Sequence, residues 1–280
     1  MKSYLFPGQG AQTVTMAKEI VSEYPKALSI YEEARTITGT DLLDIEADSL
    51  DQTRFAQLAI VVHSVASLEK YRASLDRPEK AAVAGFSLGE YPALYAAGVI
   101  GFSDLLRLVD ERARLMQEAA ERNPGAMFAI IGLSDERVEE IISHYDEVYA
   151  VNYNCPGQLV IAGKTSSAEA AAEALLAEGA RRAHRLTVNG AFHTKMMKEA
   201  ADGLEGFARK ITFRAPQILI YSNTTAAPIP ENTDFPTYLA KHMVSPVRFT
   251  EEIRRLRADG YDEHLELGPG RVLTGLVRKI

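Results

Sequence analysis

The sequence predicts an α/β fold: a parallel sheet covered by helices on both faces, with a small β-α-β-β-α-β unit set into it. Short apolar runs alternate with segments of helical period through most of the chain, which is the pattern of strands joined by crossover helices. A stretch of about sixty residues in the middle spells the split βαβ, ferredoxin-like order instead. Between these lies a glycine-flanked turn, Gly85-Phe86-Ser87-Leu88-Gly89, where an apolar strand meets a helix.

Taken in order, residues 4–6 form a buried strand stopped by Pro7-Gly8-Gln9-Gly10. Residues 57–75 have helical length and spacing, 81–85 are a small-residue strand, and 88–97 are helical. A long helix has Ser103 as its N-cap and runs to Arg122, where Asn123-Pro124-Gly125 ends it. The inserted unit reads strand 126–131, helix 136–144, strand 148–152, strand 159–162, helix 167–176 and strand 184–188. The alternation resumes with a helical run from Lys195, a strand at 218–221, a helix from Phe249 and a strand at 264–267. The expected division is therefore a catalytic core of residues 1–124 and 189–280, with 125–188 inserted.

With 46% hydrophobic residues among 280, the chain has material for a large core. Its net charge of -7 argues against broad nucleic-acid binding. A single cysteine, Cys155, allows no internal disulfide and fits a reducing compartment. Met1-Lys2-Ser3 leads straight into an apolar run, unlike a signal peptide, and apolar stretches such as 58–62 are far too short to span a bilayer. The expectation is a cytoplasmic monomer without membrane contact. Neither the histidines nor Cys155 have zinc-like spacing, and Gly8-Gln9-Gly10 is too short for a dinucleotide fingerprint, so no metal or bound cofactor is expected.

In the strand-to-helix context the turn reads as a nucleophile elbow that lifts Ser87 out of the sheet. The plainer alternative makes Ser87 only a helix cap. On the helix ending at Arg122, Leu105, Leu108, Val109, Leu115, Met116 and Ala119 share one face. Arg112 alone among the charged residues falls within that stripe, so it is either a structural ion pair or a fork for a substrate carboxylate. Six histidines compete for the role of base: His63, His144, His184, His193, His242 and His264. His193 stands where the chain returns to the core, in a loop suited to catalysis, without the others being eliminated.

Together these motifs resemble the malonyl-coenzyme A:acyl-carrier-protein transacylases of fatty-acid synthesis and the related polyketide synthase acyltransferases. Leu5-Phe6-Pro7-Gly8-Gln9-Gly10-Ala11-Gln12, Gly85 to Glu90, Arg112-Ala113-Arg114-Leu115-Met116-Gln117, Gly125-Ala126-Met127, Asn152 to Gln158 and Leu267-Gly268-Pro269-Gly270 carry the likeness. It implies an α/β-hydrolase-like core with the ferredoxin-like insertion. It also implies that Ser87 is the nucleophile, His193 its general base and Arg112 the partner of the malonyl carboxylate. The N–H groups of Gln9 and Leu88 would form the oxyanion hole, and Phe192 would crowd an added α-methyl group. The chain departs from the family in having Phe86 before the serine, Cys155 where serine is usual, and His242 at the position whose backbone carbonyl holds the catalytic histidine. The implied substrate is malonyl-coenzyme A, and the implied partner an acyl carrier protein that brings its own phosphopantetheine. A thioesterase sharing the elbow, or a non-catalytic carrier-protein-binding module, are the rival readings. Residues 181–214 hold eight cations (Arg181, Arg182, Arg185, Lys195, Lys198, Arg209, Lys210, Arg214) against three carboxylates, and read equally as a docking face for the acidic partner or as a solvated face that happens to be basic.

Overall fold

The computed structural model describes residues 1–50, 52–188 and 190–280. The first half runs β1 (Lys2–Phe6), α1 (Met16–Glu23), α2 (Ala27–Thr38), α3 (Ala47–Leu50), α4 (Thr53–Ala73), β2 (Ala81–Gly85), α5 (Glu90–Ala96) and α6 (Phe102–Arg122). The middle contains β3 (Gly125–Ile131), α7 (Asp135–Ile142), β4 (Val148–Cys155), β5 (Gln158–Lys164), α8 (Thr165–Ala177) and β6 (Arg182–Arg185). It closes with α9 (Lys198–Ala208), α10 (Phe235–Met243), α11 (Phe249–Ala258), β7 (Glu263–Glu266) and α12 (Val272–Val277). Among the described residues no helix is long and apolar enough to cross a membrane.

β1 is the centre of a parallel sheet ordered β2-β1-β7, with Tyr4 opposite both Val83 and Leu265. Parallel strands covered on both faces read as continuous apolar runs, and the buried Ala81–Gly85 is one. The strand expected at 218–221 is a correction: among the described residues a single bridge, Val83 to Ile220, stands beside β2 in its place. After Tyr221 the backbone turns away, Ser222 N–H donating to Ala227 and Asn223 N–H to Glu90, so no ladder propagates.

The inserted strands form a separate antiparallel sheet ordered β4-β5-β3-β6, the ferredoxin-like arrangement the pattern predicts. Its two faces serve different cores, as the period of two requires. Phe128, Ile130, Leu159 and Ile161 pack with Val138 and Leu175 of α7 and α8. Met127, Ala129, Val160 and Ala162 turn the other way, into the main core. β4 is also tied to the main core by backbone, since Val247 bonds Val151 and Tyr153 on either side of Asn152. The last strand ends at Arg185, before the expected 188; the Leu186 N–H still bonds Met127, and Leu186, Thr187 and Val188 line a cleft. Asn189, at the expected second boundary, lies outside the described residues.

Two other expectations shift. Gly101, not Ser103, is the N-cap of α6, because its carbonyl accepts the first helical bond from Leu105. The helix expected from residue 88 opens with a 3₁₀ turn, Ser87–Gly89, before α5.

Candidate active site

The elbow is built from backbone that only glycine fits. A Cβ on Gly85 would lie 1.9 Å from the Gly89 carbonyl carbon, and one on Gly89 would lie 1.9 Å from the Phe6 carbonyl oxygen. With both glycines in place, the chain leaves β2 and re-enters a helix within four residues. Ser87 absorbs the turn at φ +51, a left-handed conformation that L side chains seldom adopt.

Of the six histidines, His193 is the one hydrogen-bonded to Ser87, with Nε2 2.8 Å from Oγ. Its Nδ1 is 2.9 Å from the Ser245 carbonyl oxygen. A carbonyl can only accept, so Nδ1 carries the proton and Nε2 presents its lone pair to the serine hydroxyl. Burial, assisted by the positive charge of Arg112, lowers the His193 pKa to about 4, which keeps the ring neutral near pH 7. The expected His242 carbonyl is thus corrected to that of Ser245, with His242 contributing less to the ring's proton affinity. The ring meets the backbone just past the end of α10, where the Ser245 carbonyl comes nearest Nδ1. The remaining histidines do other things. His63 is buried beside Tyr31, His264 bonds Ser3, His144 is exposed, and His184 lines the cleft from the edge of the inserted sheet.

Arg112 is fully buried, as its place in the apolar stripe of α6 requires. One terminal nitrogen donates to Gln57 Oε1 at 2.6 Å, the other reaches Ser87 Oγ at 3.4 Å, and the guanidinium lies 5.1 Å from the Tyr91 ring centroid. Among the described residues no carboxylate is salt-bridged to it, and its Nε has no hydrogen-bond partner. Buried arginines are ordinarily paired with a carboxylate, so this fork has capacity to spare.

Ser87, His193 and Arg112 face a cavity of about 420 Å³ whose walls include Gln9, Leu88, Phe86 and Phe192. Every residue of the expected site except His242 lines it; His242 lies behind the wall, its ring edge-on to His193. Phe86 stacks edge-to-face on Phe249 and makes the wall before the serine apolar. The Ser87 N–H is already spent on Asn223 Oδ1 at 2.6 Å. Cys155 is buried away from this cavity, bonded weakly to Gln158.

The sequence reading missed a polar cluster beneath the elbow. Glu90, Asn223, His242 and Glu252 are each at most 1% exposed. Burial pushes the Glu90 carboxyl up to about 8 and Glu252 well above the ordinary carboxylate range, which favours the protonated form of each. Burial also holds His242 well below its ordinary value. Glu90 ends the Gly85 to Glu90 motif and could have been noticed there; nothing local marks Asn223 or Glu252. Nor does the expected docking face survive intact, because Arg185, Lys198 and Arg209 pair with Glu169, Asp202 and the Glu205/Asp234 pair.

Comparison with known proteins agrees with this geometry along the whole chain. The acyl transferase domain family matches residues 3–279. The malonyl CoA-acyl carrier protein transacylase of Bacillus subtilis is 38% identical over 286 residues, covering 99% of this chain and 90% of that protein. That of Escherichia coli K12 is 39% identical over 287 residues, covering 99% and 92%. Among solved structures, a malonyl-transacylase in complex with its type II PKS acyl-carrier protein gives a TM-score of 0.94 at 36% identity, covering 99% of this chain and 92% of that one. MCAT from Streptococcus pneumoniae gives 0.92 at 36%, covering 100% and 92%. From its elbow to its inserted sheet, the chain belongs to the acyl transferase domain family and stands among its malonyl CoA-acyl carrier protein transacylases.

Proposed function

We propose that this enzyme moves a malonyl group from malonyl-coenzyme A to the phosphopantetheine thiol of an acyl carrier protein, through an ester on Ser87. The observation that carries the proposal is Arg112: a buried guanidinium 3.4 Å from the serine oxygen and without a carboxylate of its own among the described residues. A malonyl carboxylate supplies what that fork lacks.

In the first half-reaction His193 Nε2 takes the Ser87 proton as Oγ bonds to the thioester carbon. The carbonyl π electrons move onto oxygen, and the Gln9 and Leu88 N–H groups stabilise that oxyanion. The intermediate collapses, the carbon–sulfur bond breaks, and His193 returns the proton to the departing coenzyme A thiolate. The second half-reaction repeats these steps with the carrier protein's thiol as nucleophile and Ser87 as leaving group. Arg112 holds the acyl chain by its far end throughout, which fixes the ester carbonyl toward the donors. Phe192 limits the space beside the malonyl α-carbon.

We read residues 1–124 and 189–280 as the catalytic unit and 125–188 as an insertion, since the middle sheet has its own core with α7 and α8. The phosphopantetheine belongs to the partner and no resident cofactor takes part in any step. A cytoplasmic setting agrees with a single, unpaired, buried cysteine. Fatty-acid synthesis is the pathway named by the resemblance, and service to a polyketide carrier protein uses the same chemistry.

Intact mass after incubation with malonyl-coenzyme A tests the mechanism. A malonyl adduct that carrier protein discharges is expected in the parent, and none in Ser87→Ala. His193→Ala should slow acylation by about 10²-fold or more. Rapid loss of the adduct to water alone would make the protein a thioesterase, and an adduct on another residue would overturn the assignment of Ser87.

A further inference from the structure

Ser87 is held from beneath by one side chain that reaches both ends of the elbow. Asn223 Oδ1 accepts the Ser87 N–H at 2.6 Å, while Nδ2 donates to the Gly85 carbonyl at 2.5 Å and to Glu252 Oε2 at 2.8 Å. The partners fix the amide's orientation. Reversed, it would set its NH₂ against an N–H and its oxygen against two acceptors. The backbone of Asn223 is pinned as well, its N–H bonded to Glu90 Oε1 at 2.5 Å and its carbonyl to the Arg248 N–H at 3.0 Å. Glu90 is in turn held by Tyr238, which also bonds Ser222. These groups come from β2, α5, α10, α11 and the loop after Tyr221, and they converge on a residue that does not line the cavity.

From this geometry we infer that Asn223 is a positioning residue: it clamps Gly85 and Ser87 across the elbow and so maintains the left-handed serine that aims Oγ at His193. The inference rests on the reading of Ser87 as nucleophile. A left-handed serine is intrinsically disfavoured and persists only if its surroundings over-determine it. Backbone hydrogen bonds of the turn, such as Gly89 N–H to the Phe86 carbonyl, close it without addressing the Ser87 N–H. The amide of Asn223 does both jobs, an acceptor on one side of Phe86 and a donor on the other.

Three substitutions separate positioning from mere filling of volume. Asn223→Leu fills the site without hydrogen bonds, Asn223→Ala empties it, and Asn223→Asp keeps an acceptor for the Ser87 N–H. The readout is the second-order rate of labelling by an uncharged serine-directed fluorophosphonate, alongside kcat and KM for malonyl-coenzyme A. Asn223→Leu should label about 10²-fold more slowly than the parent, the scale of a misplaced reacting group. Asn223→Asp should fall between Asn223→Leu and the parent. KM for malonyl-coenzyme A should stay within about twofold while kcat falls. If Asn223→Leu labels as fast as Asn223→Asp, or as fast as the parent, the inference is wrong, because packing alone then suffices. Where the leucine variant does not fold, Asn223→Ala takes its place in the same ordering. Ser87→Ala is the control: labelling that survives it sinks the nucleophile reading, whereas parent-like labelling of the Asn223 variants sinks only the clamp.

Discussion

The ring of His242 stands edge-on to that of His193, with centroids 5.8 Å apart and planes at 80°. Both imidazoles are buried, and burial is the main reason each binds its proton less tightly than a free histidine. They also repel one another's charge: His193 further lowers His242, and Arg112 lowers both. A depressed pKa extends the neutral, proton-accepting form of His193 to lower pH. The expected kcat/KM for malonyl-coenzyme A therefore stays level well below pH 6.5 and falls only as the medium approaches about pH 4. A profile that breaks near 6.5 would show an ordinary, solvated base.

Glu90 makes stability depend on pH. Its carboxyl titrates at about 8 in the folded protein, against an ordinary value of 4.5. Between those values the folded state binds more protons than the unfolded one, so this group's contribution falls as pH rises. Glu90→Gln removes the titration while keeping an acceptor for Asn223 and Tyr238. Urea midpoints measured across this range should show the variant gaining on the parent as pH rises toward 8. A constant difference would mean that Glu90 is ionised in the folded protein.

Arg112→Ala should change donor preference more than fold. Without the fork a malonyl carboxylate is buried unpaired, costing about 3–5 kcal/mol in kcat/KM. Acetyl-coenzyme A has no carboxylate to strand, so the ratio of malonyl to acetyl transfer should collapse. Equal losses for both donors would mark Arg112 as structural.

The Phe192 ring is backed closely: a Cβ on Gly190 would come within 2.6 Å of it. It cannot retreat in that direction from an added methyl group. Discrimination against methylmalonyl-coenzyme A should be about 1–3 kcal/mol, the range for one methyl in a fitted pocket. Phe192→Ser should reduce it, as competition between the two donors will reveal.

Lys195 is exposed, lies 5.6 Å from the Tyr149 ring centroid, and shares an outer groove with His193. Lys198 is engaged by Asp202. Lys195→Glu should accordingly raise the carrier-protein KM, most visibly at low salt, and leave self-acylation from malonyl-coenzyme A near the parent rate. Lys198→Glu should do less. Indifference of the carrier-protein KM to Lys195 would place the docking face elsewhere.

What could be read in advance follows from how local each cause is. Gly85 answers a clash with Gly89 only four residues on, and Arg112 betrays itself by sitting in a stripe that its own helix defines. α2 left little trace because it buries only Ala27, Tyr31 and Ala34, about one side chain per turn. α10 was missed for another reason: its apolar residues sit on either side of a proline in the first turn. Asn223 is the extreme case, since its partner Ser87 is 136 residues away and no spacing rule connects them. The choice between the carbonyls of His242 and Ser245 depends on how the chain leaves the end of α10, which no spacing rule supplies.

The backbone bonds from Val247 to Val151 and Tyr153, with Met127, Ala129, Val160 and Ala162 inserted into the main core, have a consequence for traffic. Swinging the inserted sheet outward would break that seam and wet those side chains, at about 25 cal/mol for each Å² uncovered. That seam opposes any widening of the doorway to Ser87. Coenzyme A and the carrier protein must use it in turn, and the larger visitor cannot enter bodily. It stays on the threshold and passes in only its flexible arm, so the length of that arm sets how close to the cavity the carrier protein has to dock.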